Sequence, residues 1–234
     1  MLVIHYTDLP LKEALRILTT SRRKVSAHYL IERNGCVHYL VDERYAAWHA
    51  GHSWWGKERN LNHASIGIEL DYMPQRRGRG WHFPAFPPPQ IASLTELSRA
   101  IIARHAIAPA RVLGHSDIAP DRKRDPGDAF PWQRLARDGI GVWPANLKRR
   151  AGAPLKPAQR GDAVRRLQEG LRALGYGISS PAQGGPCPLR PDGWYGRRTA
   201  QVVEAFQRHF RPRRVDGIAD AQTQSLLAAL LRAP

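Results

Sequence analysis

The feature that most constrains this chain is a series of short, β-prone apolar runs, several ending in a polar residue, interleaved with helical patterns. "LVIHYT" (2–7) is such a run, and Pro10 then opens a stretch where Leu11, Ala14, Leu15 and Leu18 recur at helical spacing. "AHYLIERNGCVHYLV" (27–41) is two β-prone runs around Asn34-Gly35, the signature of a hairpin. "SIGIEL" (65–70) puts Ile66 and Ile68 on one face of a strand and Gly67 and Glu69 on the other. A helix is expected from about Pro89 to Ala106, followed by a short strand, "RVLGH" (111–115). Strands alternating with helices predict an α/β domain over residues 1–145. The intervening segment 72–89 is rich in Pro, Gly and Arg and reads as a long loop. Its Arg76, Arg77 and Arg79 are expected to border a binding groove and attract carboxylates.

Composition shifts after this domain. Residues 146–160 are rich in Pro, Ala, Lys and Arg and suit a linker, and 161–234 read as a small all-helical module. That module contains an echo: "DGWYGRRT" begins at Asp192 and "DGIADAQT" at Asp216, each ahead of an apolar helical pattern. A tight Asp-Gly turn before a helix start explains a repeated turn-helix unit, not a catalytic device.

The charge is strongly basic, with 36 Lys and Arg against 20 Asp and Glu, a net +16. The excess is spread along the chain and no nucleic-acid motif accompanies it, so it predicts a cationic surface rather than nucleic-acid binding. Cys36 and Cys187 form no CxxC pair, which predicts neither a disulfide framework nor a thiolate metal site. No apolar run approaches the ~18 residues of a membrane span. The N-terminus lacks the pattern of an export signal, so a cytoplasmic location stands as one expectation.

Ten histidines offer many candidates for chemistry. His38, His63, His82, His105 and His209 read as surface or packing residues. His5 ends an apolar strand, and His115 ends "RVLG" and opens the polar loop "GHSDIAPDRKRDPG", which closes at Asp125-Pro126-Gly127. Two imidazoles and a carboxylate with a fourth position left to water form a catalytic zinc arrangement, although a hydrogen-bonded core histidine is an equal reading of His5 alone. Glu69 is a carboxylate within a strand-like run, either a general base or an ion-paired strand residue. Lys123 offers a cation for an oxyanion or is a solvated loop charge. Asp117 and Asp121 are expected to be turn-forming or solvated. Trp48, His49, Trp54, Trp55 and Asn62 suit stacking on sugars and bonding to peptides, or capping of the core.

Together "VIHYT", "SAHYLI", "AWHAG", "LNHASIGIEL" and "GHSDIAPDRKRDPG…FPW" resemble, in order, the zinc-dependent N-acetylmuramoyl-L-alanine amidases of the peptidoglycan-recognition-protein superfamily, AmpD/AmiD type. "LQEGLRALGY" and "DGWYGRRTAQVVEAFQRHF" resemble the three-helix peptidoglycan-binding module that accompanies many wall hydrolases. The resemblance implies a mixed central sheet flanked by helices over 1–145 and a three-helix domain over 161–234. It implies one Zn²⁺ held by His5, His115 and Asp125, with Glu69 and Lys123 as the catalytic pair. It implies substrate contacts from Trp48, His49 and Asn62. The implied reaction is hydrolysis of the amide between the lactyl group of N-acetylmuramic acid and L-alanine, in peptidoglycan or muropeptides. A non-catalytic peptidoglycan recognition protein of the same fold is the alternative. A location in the cell envelope is the expectation by resemblance, and a monomer is expected.

Overall fold

The structure, a computed structural model, describes residues 1–78, 80–144 and 152–232. Arg79 and residues 146–151 of the expected linker lie outside the described residues. In chain order the elements are β1 (Leu2–Tyr6), α1 (Leu11–Leu18), β2 (Tyr29–Ile31), β3 (Val37–Tyr39), β4 (Trp54–Trp55), β5 (Glu58–Arg59), β6 (Ile66–Leu70), β7 (Gln75–Arg77) and β8 (Gly80–His82). There follow α2 (Pro88–His105), β9 (Val112–Gly114), α3 (His115–Ile118), α4 (Trp132–Arg137), α5 (Asp162–Leu174), β10 (Gly177–Ile178), β11 (Cys187–Pro188), α6 (Arg197–Phe210) and α7 (Ala221–Leu230). The chain divides into two units. The first comprises Met1–Gly51, Asn60–His115 and Asp125–Val142; the second comprises His52–Arg59, Ser116–Arg124 and Trp143–Pro234.

The first unit is built on a five-stranded sheet in the order β3-β2-β6-β1-β9. β1 is central and parallel to both β6 and β9, β2 is parallel to β6, and only β3 runs antiparallel, so the sheet is mixed as expected. Strands buried on both faces need apolar residues throughout, which explains why Leu2, Val3, Ile4, Leu30, Ile31, Ile68 and Leu70 are almost wholly inaccessible. Helices flank this sheet. In α1, Ala14 and Leu18 pack on Leu30, with Leu11 and Leu15 closing the cluster. In α2, Ile91, Leu94, Leu97 and Ile101 form the buried stripe of an amphipathic helix.

Segment 72–89 is not the uninterrupted loop expected from its composition. Gln75–Arg77 pairs with Gly80–His82 as an exposed hairpin, and the Arg76 guanidinium lies 5.0 Å over the Trp81 ring. Gly78 adopts positive φ (56°), so composition recognised the turn but missed the two short strands it joins.

In the second unit the Asp-Gly echo has a shared architecture. Gln168 of α5 accepts from Gly193 N at 2.8 Å and donates to Asp192 Oδ1 and Thr199 Oγ1. Gln207 of α6 accepts from Gly217 N at 2.9 Å and donates to Asp216 Oδ1 and Thr223 Oγ1. Each buried glutamine therefore clamps the turn that starts the following helix. Gly193 and Gly217 both have positive φ, which accounts for the glycine in each copy. Asp220, which breaks the echo by standing where the first copy has Gly196, caps α7 by accepting from Thr223 N.

The second unit also corrects the reading of the loop carboxylates. Asp117 is buried, accepting from Tyr176 Oη at 2.8 Å and pairing with His209 Nδ1 at 2.8 Å. Asp121 accepts from Ser179 N, Ser179 Oγ and Ser180 N. They are network residues rather than solvated ones, and buried carboxylates require such partners. Trp54 and Trp55 serve packing here. A Cβ on Gly177 would meet Trp54 at 2.2 Å and one on Gly175 would meet Trp55 at 2.7 Å. Among the described residues, no helix is long and apolar enough to cross a membrane.

Candidate active site

The sheet register sets up the site. In the β1–β6 ladder His5 is opposite Glu69, and in the β1–β9 ladder Ile4 is opposite Gly114. One step further along β9, His115 follows directly where the strand turns into α3. Glu69, His5 and His115 thus fall on one row across adjacent parallel strands, near their C-terminal ends. That is where open α/β sheets place their functional groups.

His5, His115 and Asp125 converge closely. His5 Nδ1 and His115 Nδ1 are 2.9 Å apart, and Asp125 Oδ2 lies 3.1 Å from the first and 2.9 Å from the second. All three side chains are buried, at 1%, 3% and 5% exposure. Burial alone raises the Asp125 carboxyl. The charge of His115 and hydrogen bonds from His115 and His5 outweigh it and hold the carboxyl well below the usual carboxylate range.

The far nitrogen of each imidazole is held by a second group. His115 Nε2 lies 3.2 Å from Ala50 O and can only donate to it, so in the neutral ring that a metal requires the lone pair is on Nδ1 and faces the cluster. His5 Nε2 lies 2.9 Å from His49 Nδ1. His49 is driven well below the ordinary imidazole value, first by burial and then by the charges of His5, His28 and His115. A neutral His49 can accept from His5 at Nδ1 while its Nε2 faces Ser65 Oγ at 3.3 Å. Both ligating candidates are therefore set to present Nδ1. Two imidazole nitrogens and a carboxylate oxygen within 4.8 Å of one another form a group that can hold a metal ion. The donor set suits zinc with an open position.

The surrounding residues explain the precision. Gly67 leaves the space that His49 fills, since a Cβ there would stand 2.4 Å from the ring. His28, also buried, accepts from Gly67 N at 3.0 Å and steadies that part of β6. Asn62 Oδ1 accepts from Ala50 N at 2.7 Å, which fixes the residue whose carbonyl orients His115. Sequence reasoning missed Ala50, Ser65, Gly67 and His28. Their blocks "AHYLI", "WHAG" and "ASIGIE" surround the candidates, yet no spacing rule singles them out.

The other sequence candidates are placed as follows. Trp48 is 53% exposed, with its ring edge-on to His63. His49 and Asn62 are buried at 6% and 8% beneath the cluster rather than on a surface. Glu69 is half-buried beside His5. Lys123, two residues before Asp125, belongs to the Ser116–Arg124 segment, and its backbone N–H donates to Ala119 O.

Comparison with known proteins places the chain in a family. Residues 1–128 match the family described as N-acetylmuramoyl-L-alanine amidase, and residues 160–227 match a peptidoglycan binding domain family. The chain is 41% identical over 243 residues to N-acetylmuramoyl-L-alanine amidase AmiD of Escherichia coli K12, covering 99% of this chain and 82% of that one. The solved complex of E. coli AmiD with its substrate anhydro-N-acetylmuramic acid-L-Ala-D-gamma-Glu-L-Lys superimposes with a TM-score of 0.84 at 40% identity, over 99% of this chain and 88% of that one. The structure of AmpDh3 from Pseudomonas aeruginosa with an anhydromuramic pentapeptide matches with a TM-score of 0.73 at 33% identity, over 98% and 89%.

Proposed function

The chain belongs to the N-acetylmuramoyl-L-alanine amidase family, and on that premise we propose how its own residues carry out the hydrolysis. The bond cleaved is the amide between the lactyl carbonyl of N-acetylmuramic acid and the nitrogen of L-alanine. The observation that carries this reading is the convergence of His5, His115 and Asp125 with Glu69 next to His5 in the sheet.

His5 Nδ1, His115 Nδ1 and Asp125 Oδ2 would hold one zinc ion. When bound there, zinc supplies a Lewis acid that polarises the amide carbonyl and lowers the pKa of water toward ~7. The remaining chemistry belongs to the protein. Glu69 takes a proton from the attacking water as the new C–O bond forms. It then delivers that proton to the alanine nitrogen as the C–N bond breaks, and the proton left on the new carboxyl group passes to the released amine, giving a lactyl carboxylate and an alanyl ammonium. Lys123 supplies a positive charge for the oxyanion that develops on the carbonyl oxygen. His49 and Ala50 keep the two imidazoles in the tautomer that ligation needs. Trp48 offers an exposed apolar face to the substrate.

Muropeptides are the proposed substrates, supported by the two relatives solved with anhydromuramic peptides. We assign residues 1–145 to the catalytic domain and 161–234 to wall attachment, in keeping with the peptidoglycan binding family matched over 160–227. Mass spectrometry of muropeptides digested by the wild type and by Glu69→Ala tests the reading, with metal content measured in both. Stem peptides released by the wild type alone, with equal zinc in both proteins, are expected. Full activity in the variant would remove Glu69 from the mechanism.

A further inference from the structure

The β2–β3 hairpin gathers a second set of metal-type donors, remote in sequence from the first. Glu32, Cys36 and His38 each present one ligand atom, and the carboxylate oxygen, the thiol sulfur and the imidazole nitrogen lie within 4.8 Å of one another. Hairpin geometry brings them together. β2 and β3 pair with Ile31 opposite Val37 and Leu30 opposite His38, and Glu32 N donates to Cys36 O at 2.9 Å. Glu32 and Cys36 are thus cross-strand partners, and His38 lies two residues along on the same face.

The turn itself is well determined. Gly35 N donates to Glu32 O at 2.9 Å, and Gly35 takes φ of 94°, as a glycine in this kind of hairpin loop does. Cys36 N donates to Asn34 Oδ1 at 2.8 Å, which anchors the cysteine backbone. Asn34 Nδ2 donates to Glu32 Oε2 at 3.1 Å, and Glu32 Oε1 faces His38 Nε2 at 2.6 Å. The Glu32 carboxylate is therefore oriented from both sides.

An ion pair accounts for Glu32 and His38 alone. It does not account for a thiol at the same point. A thiolate, an imidazole and a carboxylate are the donor types zinc takes, with one position left for water. Ligands ~2.0–2.3 Å from zinc stand about 3.5 Å apart, so donors gathered this closely need only side-chain rotation to close on an ion. Cys36 is exposed and the other two side chains are part-exposed, at 30% for His38 and 21% for Glu32, so an ion has direct access from solvent.

We propose that Glu32, Cys36 and His38 form a second divalent-cation site of the zinc class, on the hairpin edge of the sheet and independent of the hydrolytic group. The absence of a CxxC pair left no sign of it in the sequence, because its donors come from β3 and from the two ends of the turn before it.

Cobalt substitution separates the two sites. The His5, His115 and Asp125 group has no sulfur, so thiolate-to-cobalt charge-transfer absorption in the near ultraviolet reports only the hairpin. The full chain is stripped with a chelator and loaded with Co²⁺. The band is expected in the wild type and in Cys187→Ser, and its loss is expected in Cys36→Ser. Bound metal should fall by one ion per chain in Cys36→Ser, with muropeptide hydrolysis unchanged because Cys36 lies outside the hydrolytic group. A wild type without the band would overturn the site. A band that survives both Glu32→Ala and His38→Ala would also overturn it, since a lone thiol adduct would then explain the absorption. Hydrolytic activity is read separately, so failure of the amidase mechanism and failure of this site are distinguishable.

Discussion

Glu69 stands directly opposite His5 in the parallel ladder between β6 and β1, so the proposed base and the first proposed ligand are neighbours by strand register. A shift of one residue in that register would turn Glu69 to the other face of the sheet. The flanking pairs of the ladder, Ile4 with Ile68 and Tyr6 with Leu70, carry that register on the opposite face. The apolar pattern that stabilises the sheet therefore also determines which way its two polar residues point.

Replacing Glu69 with Gln should leave the fold and the bound metal intact, because the substitution keeps size and removes only the proton acceptor. Loss of general-base catalysis is expected to lower kcat about 10²–10⁴-fold. Steady-state hydrolysis of a muropeptide beside metal analysis of the same sample checks this. A variant that lost zinc as well would point to a structural role.

His49→Ala should weaken metal binding without removing a ligand. His5 would lose the partner 2.9 Å from its Nε2 and with it a defined tautomer. The expected loss is about 10–100-fold in zinc affinity, measured by competition with a chromophoric chelator. His49→Gln, which can still accept from His5, should recover part of the loss.

Glu43 predicts a pH-dependent contribution to stability. Its carboxyl is lowered to about 2, chiefly by the hydrogen bond from Arg104, against the cost of burial and with help from Tyr29 and His105. A folded value below the unfolded one means stability that is present above the ordinary carboxylate pKa and lost as pH falls through the folded value. The difference in stability between wild type and Glu43→Gln should be level from neutral pH to about 5 and close as pH falls toward 2. Because the pair is partly screened by water, the plateau should be on the order of 1 kcal/mol, readable by urea unfolding across that range.

Gln207→Leu should destabilise the helical region. Gln207 is fully buried and accepts from the backbone N–H groups of Asp216 and Gly217. Both donors would be left without this acceptor, at about 1–3 kcal/mol each. A lowered thermal transition is expected, with hydrolysis of small soluble muropeptides retained at temperatures below it. An unchanged transition would mean that the glutamine clamp contributes nothing to stability.

Local physics was legible in the chain. β-branched alternation in "SIGIEL" gave a strand with Glu69 on the face opposite Ile66 and Ile68. Asn34-Gly35 gave a hairpin, and the Asp-Gly echo gave two turn-helix starts. Less was legible where a charged residue's environment is made by distant elements. Asp117 and Asp121 look like a charge run in "GHSDIAPDRKRDPG", yet their partners are Tyr176, His209, Ser179 and Ser180. The short strands of 75–82 were hidden by Arg and Gly, whose weak β-propensity is overridden once the two strands pair.

Propensity and turn chemistry specified most of the elements and the apolar positions that hold them together, and the resemblance marked the residues worth watching. Which of the ten histidines meet depends on the fold. His5 is 110 residues from His115 and 120 from Asp125, distances over which no local periodicity carries information. Parallel pairing of β1 with β9 converts the first separation into a contact of about 3 Å, because register aligns residues by hydrogen-bond ladder rather than by chain distance, and the turn at Asp125 returns the carboxylate to the same point. The same conversion on a smaller scale places Glu32, Cys36 and His38 together at the end of a hairpin.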